Sequence, residues 1–187
     1  VSRRRHTTRH TRDQPPAALL SCTRHMRGKS AHPAHTVTVL ALCTALLYSQ
    51  QIALASIPNG ECVTILLIVF TLYFRRRTLY IIYLFALLEG ITYGFGIWWF
   101  MYLYVWTILW AIVMLLGRQP RSSLFWAIIA AFFGLFFGLL CSFPYLVTGG
   151  IAMAFSWWIT GIPFDISHCV FNFLIVLVLF RPLDRLF

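Results

Sequence analysis

Arginine is placed along the apolar part of this chain in a way that few folds permit. Six apolar runs, at about 37–57, 62–74, 78–95, 98–116, 122–143 and 162–180, follow one another with short connections. Beyond residue 35, every basic residue falls in the second connection (Arg75, Arg76, Arg77), the fourth (Arg118, Arg121) or the C-terminus (Arg181, Arg185). The first connection (Ile57–Glu61), the third (around Gly94–Trp98) and the fifth (Ser142–Gly161) hold none. The positive-inside rule reads this alternation as a chain crossing a bilayer six times with both termini in the cytoplasm. The expected fold class is an all-α integral membrane protein of six transmembrane helices.

Composition agrees. Of 187 residues, 60% are hydrophobic and 11% are charged, with mean hydropathy +0.79. A soluble domain carries about 25% charged residues, so this chain lacks the means to cover a water-facing surface. The same figures exclude a disordered chain, a disulfide-stapled module and a coiled coil. A net charge of +10 raises nucleic acid as a partner. The side on which the arginines collect points instead to lipid headgroups, and no nucleic-acid partner is expected.

Two details test the span count. The run 62–74 is short for a crossing and needs snorkelling at Arg75–Arg77 with some local thinning of the bilayer. Merging it with the next run would bury three arginines, at about 2.5–3.5 kcal/mol each. A further span at 151–160 would move Arg181 and Arg185 to the other side. Residues 144–160 are therefore expected as an outer loop lying in or dipping into the interface. Pro144, Gly149, Gly150 and Gly161 punctuate it, and Trp157 and Trp158 suit the headgroup level.

The chain divides at residue 35. Residues 1–35 hold Arg3, Arg4, Arg5, Arg9, Arg12, Arg24, Arg27 and Lys29, and also His6, His10, His25, His32 and His35. No apolar period runs through them, so a disordered basic tail beside anionic headgroups is expected. They contain no signal-peptide core. Val1 with Met26 downstream fits either an alternative start codon or a gene start placed too far upstream. The histidine spacing matches no zinc template, and no metal is expected. Residues 36–187 form the membrane domain.

A polar group inside a membrane span is a candidate functional residue, and here such groups collect towards the outer side. Asp165, His168 and Asn172 follow Gly161-Ile-Pro163 at steps of three and four, which stacks them on one helical face. At 1.5 Å per residue they lie about 5, 9 and 15 Å below the outer end, with Pro163 in the first turn. Glu89 lies about two turns below the outer end of the third span, with Tyr93 one turn above it. Asn59 and Glu61 follow the first span, and Glu61 is expected at the water boundary. Trp98, Trp99, Tyr102, Tyr104 and Trp106 open the fourth span. Acids, amides, one imidazole and many rings at one depth describe a pocket open to the outside. With no lysine or arginine among them, it suits a neutral or cationic flat heteroaromatic, held by stacking and cation–π contact.

Each residue also has a purely structural reading. The aromatic residues suit an interfacial belt, Asp165 and His168 a pair at a helix start, and Asn172 an interhelical hydrogen bond. Glu89 is hardest to read that way. Ala41-x-x-x-Ala45, Gly90-x-x-x-Gly94 and Gly134-x-x-x-Gly138 permit close helix approach, and for the glycine pairs packing within the bundle is expected.

Six short-looped spans, Ala41-x-x-x-Ala45, Ile57-Pro58-Asn59 before a short second span, and Gly161-Ile-Pro-Phe-Asp165 leading into His168 and Asn172 give a pattern over 36–187. It resembles the substrate-binding S component of an energy-coupling factor (ECF) vitamin transporter. The resemblance implies a vitamin captured near the outer face of a bacterial plasma membrane. It implies that Ala41 and Ala45 dock a transmembrane coupling protein, and that two cytoplasmic ATPase subunits drive transport. The absence of a G-x-x-x-x-G-K-[ST] loop agrees with ATP hydrolysis elsewhere. On this reading Asn59, Glu89, Tyr93, Trp98, Trp99, Tyr102, Trp106, Asp165, His168 and Asn172 bind substrate, with no cofactor and no catalysis. Thiamine-like pyrimidines, deazapurines and corrinoids all stay open. The long tail departs from the family.

Other classes fit less well. A b-type cytochrome needs two membrane histidines, and only His168 is there. A small membrane enzyme would use Asp165, His168 and Glu89, yet no H-E-x-x-H, G-x-S-x-G or C-x-x-C occurs. The scattered cysteines read as small core residues. A standalone structural or signalling protein would have no ATPase partner.

Overall fold

The computed structural model describes residues 33–55 and 61–186. The expected tail before residue 33 and the candidate Asn59 lie outside the described residues. Among the described residues every regular element is helical and no strand occurs, consistent with an all-α membrane protein. The helices are α1 (Pro33–Leu54), α2 (Val63–Phe74), α3 (Thr78–Tyr93), α4 (Ile97–Leu116), α5 (Ser123–Leu135), α6 (Phe137–Cys141) and α7 (Phe143–Asp184), with a 3₁₀ turn at Arg75–Arg77. Three segments, Ala34–Leu54, Ile97–Leu116 and Phe143–Asp184, are long and apolar enough to cross a membrane.

Local chemistry sets the helix boundaries. Ser122 is extended (φ −72°, ψ 159°) and its hydroxyl accepts the Phe125 N–H at 3.2 Å, which caps α5. Gly94, at φ 86°, ends α3 in a conformation that disfavours a side chain, and lets α4 begin three residues later.

The short helix α2 is the axis of the bundle. Val63 to Thr71 are all buried, and α1, α3, α4 and α7 surround it. At 1.5 Å per residue, α2 is about 18 Å long, well under a hydrocarbon core of about 30 Å. Its C-terminal end runs into Arg75–Arg77. The arginines gather at that end: Trp110 Nε1 donates to the Arg75 carbonyl at 3.0 Å, and Arg75 Nη1 to the Gly117 carbonyl at 3.4 Å. Tyr73 donates to the Asp184 carbonyl at 2.7 Å, joining α2 to the end of α7.

The expected outer loop at 144–160 is instead helical on both sides of one break. Gly150 alone has non-helical angles (φ 74°, ψ −174°) inside Phe143–Asp184. There the chain reverses: Tyr145 and Trp157 stack with ring centroids 4.3 Å apart, where a straight helix would separate them by about 18 Å. Residues 123–149 therefore form one helical arm and 151–184 the other. Pro144 sits in a first turn, where its missing N–H costs nothing. Gly149 and Gly161 are helical, and Pro163 lies in a helix interior rather than in the first turn expected for it. The reason is that an apolar segment away from water satisfies its backbone best within a helix. Only a glycine at positive φ interrupts it.

Close approach holds the two arms together. A Cβ on Gly134 would lie 2.9 Å from the backbone carbonyl of His168, so α5 rides directly on the α7 backbone. The expectation of bundle packing holds for this glycine pair, because Gly138 meets the Asp165 side chain in the same way.

Candidate functional site

At the end of α2 opposite the arginines, a polar chain crosses the core. Glu61 precedes α2 and is 9% exposed. It accepts the Thr64 N–H at 3.0 Å with Oε2 and the Thr64 hydroxyl at 2.6 Å with Oε1, so an acid meets free N–H groups where the helix dipole favours it. His168 Nε2 on α7 lies 3.0 Å from the same Oε1. Asn172, one turn further, donates from Nδ2 to the Thr64 hydroxyl at 3.3 Å and to the Ala130 carbonyl at 3.5 Å. On the other side of Glu61, the Cys62 N–H donates to Gln50 Oε1 at 2.9 Å. The Glu61 carboxylate thus ties α2 to α7, and the backbone of the next residue ties the same turn to α1.

Asp165 is held differently. The helical path breaks at Phe136 (φ −97°, ψ 5°) before α6, which leaves first-turn N–H groups free. Asp165 Oδ1 accepts one of them, from Gly138, at 2.8 Å. Its Oδ2 is buried and has no hydrogen-bond partner among the described residues. A buried carboxylate oxygen in that state normally has a partner.

Asp165 and His168 line a cavity of about 360 Å³. Trp98, Tyr102 and Phe137 wall one side, and Trp157, Thr160 and Phe164 the other. The aromatic wall continues inward. Trp98 meets Tyr102 edge-on at 5.4 Å, Tyr102 meets Trp106 at 5.7 Å, and Trp106 packs on Phe137 at 5.6 Å. Phe137 in turn touches the His168 ring, centroids 4.9 Å apart. The spacing 98, 102, 106 puts all three rings on one face of α4. Trp106 is buried, and its Nε1–H is a second polar group without a partner among the described residues.

The expected site residues therefore separate. Trp98, Tyr102, Asp165 and His168 line the cavity; Trp106 extends its aromatic wall, and Asn172 braces the polar chain beneath it. Trp99 does not line it: its Nε1 donates to the Ala86 carbonyl at 2.8 Å and its ring packs on Phe95, so it ties α4 to α3. Tyr93 is 52% exposed at the end of α3. Glu89 is 2% exposed with Oε1 unpartnered among the described residues, but it does not line the cavity. Glu61, expected at the water boundary, is the hub of the polar chain. The signal for it was the short run 62–74: a helix of twelve residues that ends at Arg75–Arg77 has its other end inside the bundle.

Ala41 and Ala45 are exposed on α1. Ala41 lines an apolar groove of about 530 Å³ with Val37, Leu40, Tyr80 and Leu84. Among the described residues no group of histidine, cysteine and acidic side chains could hold a metal ion. The chain matches no protein-family model, and no curated protein or solved structure is significantly similar to it.

Proposed function

We propose that this protein captures a small heteroaromatic nutrient from outside a bacterial cell, as the S component of an ECF-type importer. In this reading six spans cross the plasma membrane, with both termini and the arginine end in the cytoplasm. The cavity beside Asp165 then opens towards the exoplasmic side. The observation that carries the reading is a ring-walled cavity of about 360 Å³ lined by Asp165, whose buried Oδ2 has no partner among the described residues. A neutral or cationic ligand with an N–H or N⁺–H edge satisfies that oxygen while its face stacks on Trp98 or Tyr102. A polyanion is disfavoured, because no lysine or arginine lines the cavity. The hub of Glu61, His168 and Asn172 keeps α7 in register with α2, so the cavity is preorganised.

The chain has no chemistry of its own in this reading. ATP hydrolysis belongs to two cytoplasmic subunits, and a transmembrane coupling protein docks on the face of α1 that carries Ala41 and Ala45. The apolar groove beside Ala41 supports that assignment. The test is mass spectrometry of small molecules retained by the full chain purified in detergent, followed by calorimetry with the molecule found. Asp165→Asn and Trp98→Ala should each weaken its binding at least tenfold while the protein stays monodisperse. Retention of no small molecule, or unchanged affinity in both variants, would remove the cavity from consideration as the binding site.

A further inference from the structure

The arginine end carries a second concavity, of about 700 Å³, that capture of a nutrient at the opposite end does not use. Arg75, Arg76, Arg77 and Arg118 rim it, and no acidic residue lines it. Among the described residues the one ion pair is that of Glu61 with His168, so none of these guanidiniums is paired with a carboxylate there. Four like charges around one hollow repel until an anion enters.

The turn that carries three of them, Arg75–Arg77, is held by several hydrogen bonds. Arg75 has φ 54°, a left-handed conformation costly for a residue with a side chain. Its carbonyl accepts from Trp110 Nε1 at 3.0 Å and also from the Thr78 N–H, while the Thr78 hydroxyl donates to the Phe70 carbonyl at 2.9 Å. Strained residues fixed this firmly by their surroundings collect at functional positions.

The hollow is also two-sided. Trp110, Ala111, Met114 and Leu115 of α4 give it an apolar wall, and Leu115 at its edge is 65% exposed. A free anion has no use for that wall. An amphiphile with an anionic head does.

We propose that this concavity is a binding site for an anionic phospholipid. Arg76, Arg77 and Arg118 hold the phosphate, in the bidentate manner that suits a guanidinium, and an acyl chain lies along Leu115. A zwitterionic choline headgroup brings a cation into the same ring of arginines and is disfavoured. The proposal rests on α4 crossing a bilayer, not on the nutrient or on the importer assignment.

The full chain in detergent is mixed with equal amounts of phosphatidylglycerol and phosphatidylcholine, and native mass spectrometry counts the lipids retained. Wild type should keep phosphatidylglycerol at least tenfold over phosphatidylcholine. The double variant Arg76→Gln/Arg118→Gln should lose that preference. The control Arg121→Gln/Arg185→Gln removes the same charge outside the hollow, Arg121 lying over the Phe125 ring at 4.9 Å, and should keep it. Should the first double variant not fold, the two single variants carry the test, each with a preference lowered at least threefold. Equal loss in both double variants would mean a generally basic face and overturns the proposal. So does the absence of any preference in wild type. Displacement of the lipid by millimolar inorganic phosphate, or by a soluble glutamate-rich peptide, would assign the hollow to a free anion or a protein surface and likewise overturns it. A chain that binds no nutrient can still pass, because the measurement reads lipid alone.

Discussion

Two carboxylates at this end of the bundle are held in opposite ways, and the difference decides their roles. Glu61 is saturated: Thr64 supplies two donors and His168 a third group at 3.0 Å. Asp165 spends one oxygen on the Gly138 N–H and keeps the other free. A saturated buried acid stabilises, whereas in the proposed importer the unpartnered oxygen of Asp165 meets the ligand. Removing one partner of a buried pair leaves the other uncompensated, at about 3–5 kcal/mol. Glu61→Ala should therefore lower stability strongly, while Glu61→Gln, whose amide oxygen can still accept the Thr64 N–H, should cost less than half as much. Unfolding followed by circular dichroism in mixed micelles would check this, and equal losses in the two variants would mean that the Thr64 contact contributes nothing. Glu61 was only partly legible in the sequence. Its acid character was plain, but its depth depended on where a twelve-residue helix stops within the bundle.

At the scale of elements, the arm 123–149 and the arm 151–184 make a helical hairpin whose register positions the cavity. Trp126 with Phe180, Gly134 with His168, Gly138 with Asp165 and Tyr145 with Trp157 are successive rungs of it. Glycine at 134 lets the arms touch backbone to backbone. Forcing extra atoms into such a contact costs about 1–3 kcal/mol. Gly134→Leu should lower the unfolding temperature by several degrees and weaken ligand retention with it, since both Asp165 and His168 ride on the displaced arm. Gly161→Ala is the matched control: nothing lies within 4 Å of its added Cβ, and its greater helix propensity should leave stability unchanged or slightly higher. Thermal unfolding of the two variants side by side decides it; similar losses would place the strain elsewhere. The hairpin was misread from the sequence as a loop at 144–160. Four glycine and proline residues gave the loop signal, but only Gly150 takes a conformation that a helix refuses.

At the scale of the whole molecule, the bundle has two chemically distinct ends and an exposed face on α1 between them. Among the described residues the arginines gather at one end and the buried acids at the other, with the axis α2 joining Glu61 to Arg75. In the proposed importer the face of α1 carrying Ala41 and Ala45 meets the coupling protein, where small side chains let helices approach. Ala41→Trp or Ala45→Trp should abolish co-elution with the coupling protein on a sizing column while leaving nutrient affinity within twofold. A complex that still forms would show that the interface lies elsewhere. The all-helical class and the apolar segments long enough to cross a membrane were legible in the sequence alone, because hydropathy acts on each segment independently of its neighbours. The Glu61–His168–Thr64 hub, the free oxygen of Asp165 and the arginine-rimmed hollow were decided only by tertiary structure. Each depends on which helices pack together and at what relative height, and that is set by side-chain volume and close approach at positions such as Gly134, across separations that no local pattern in the chain encodes.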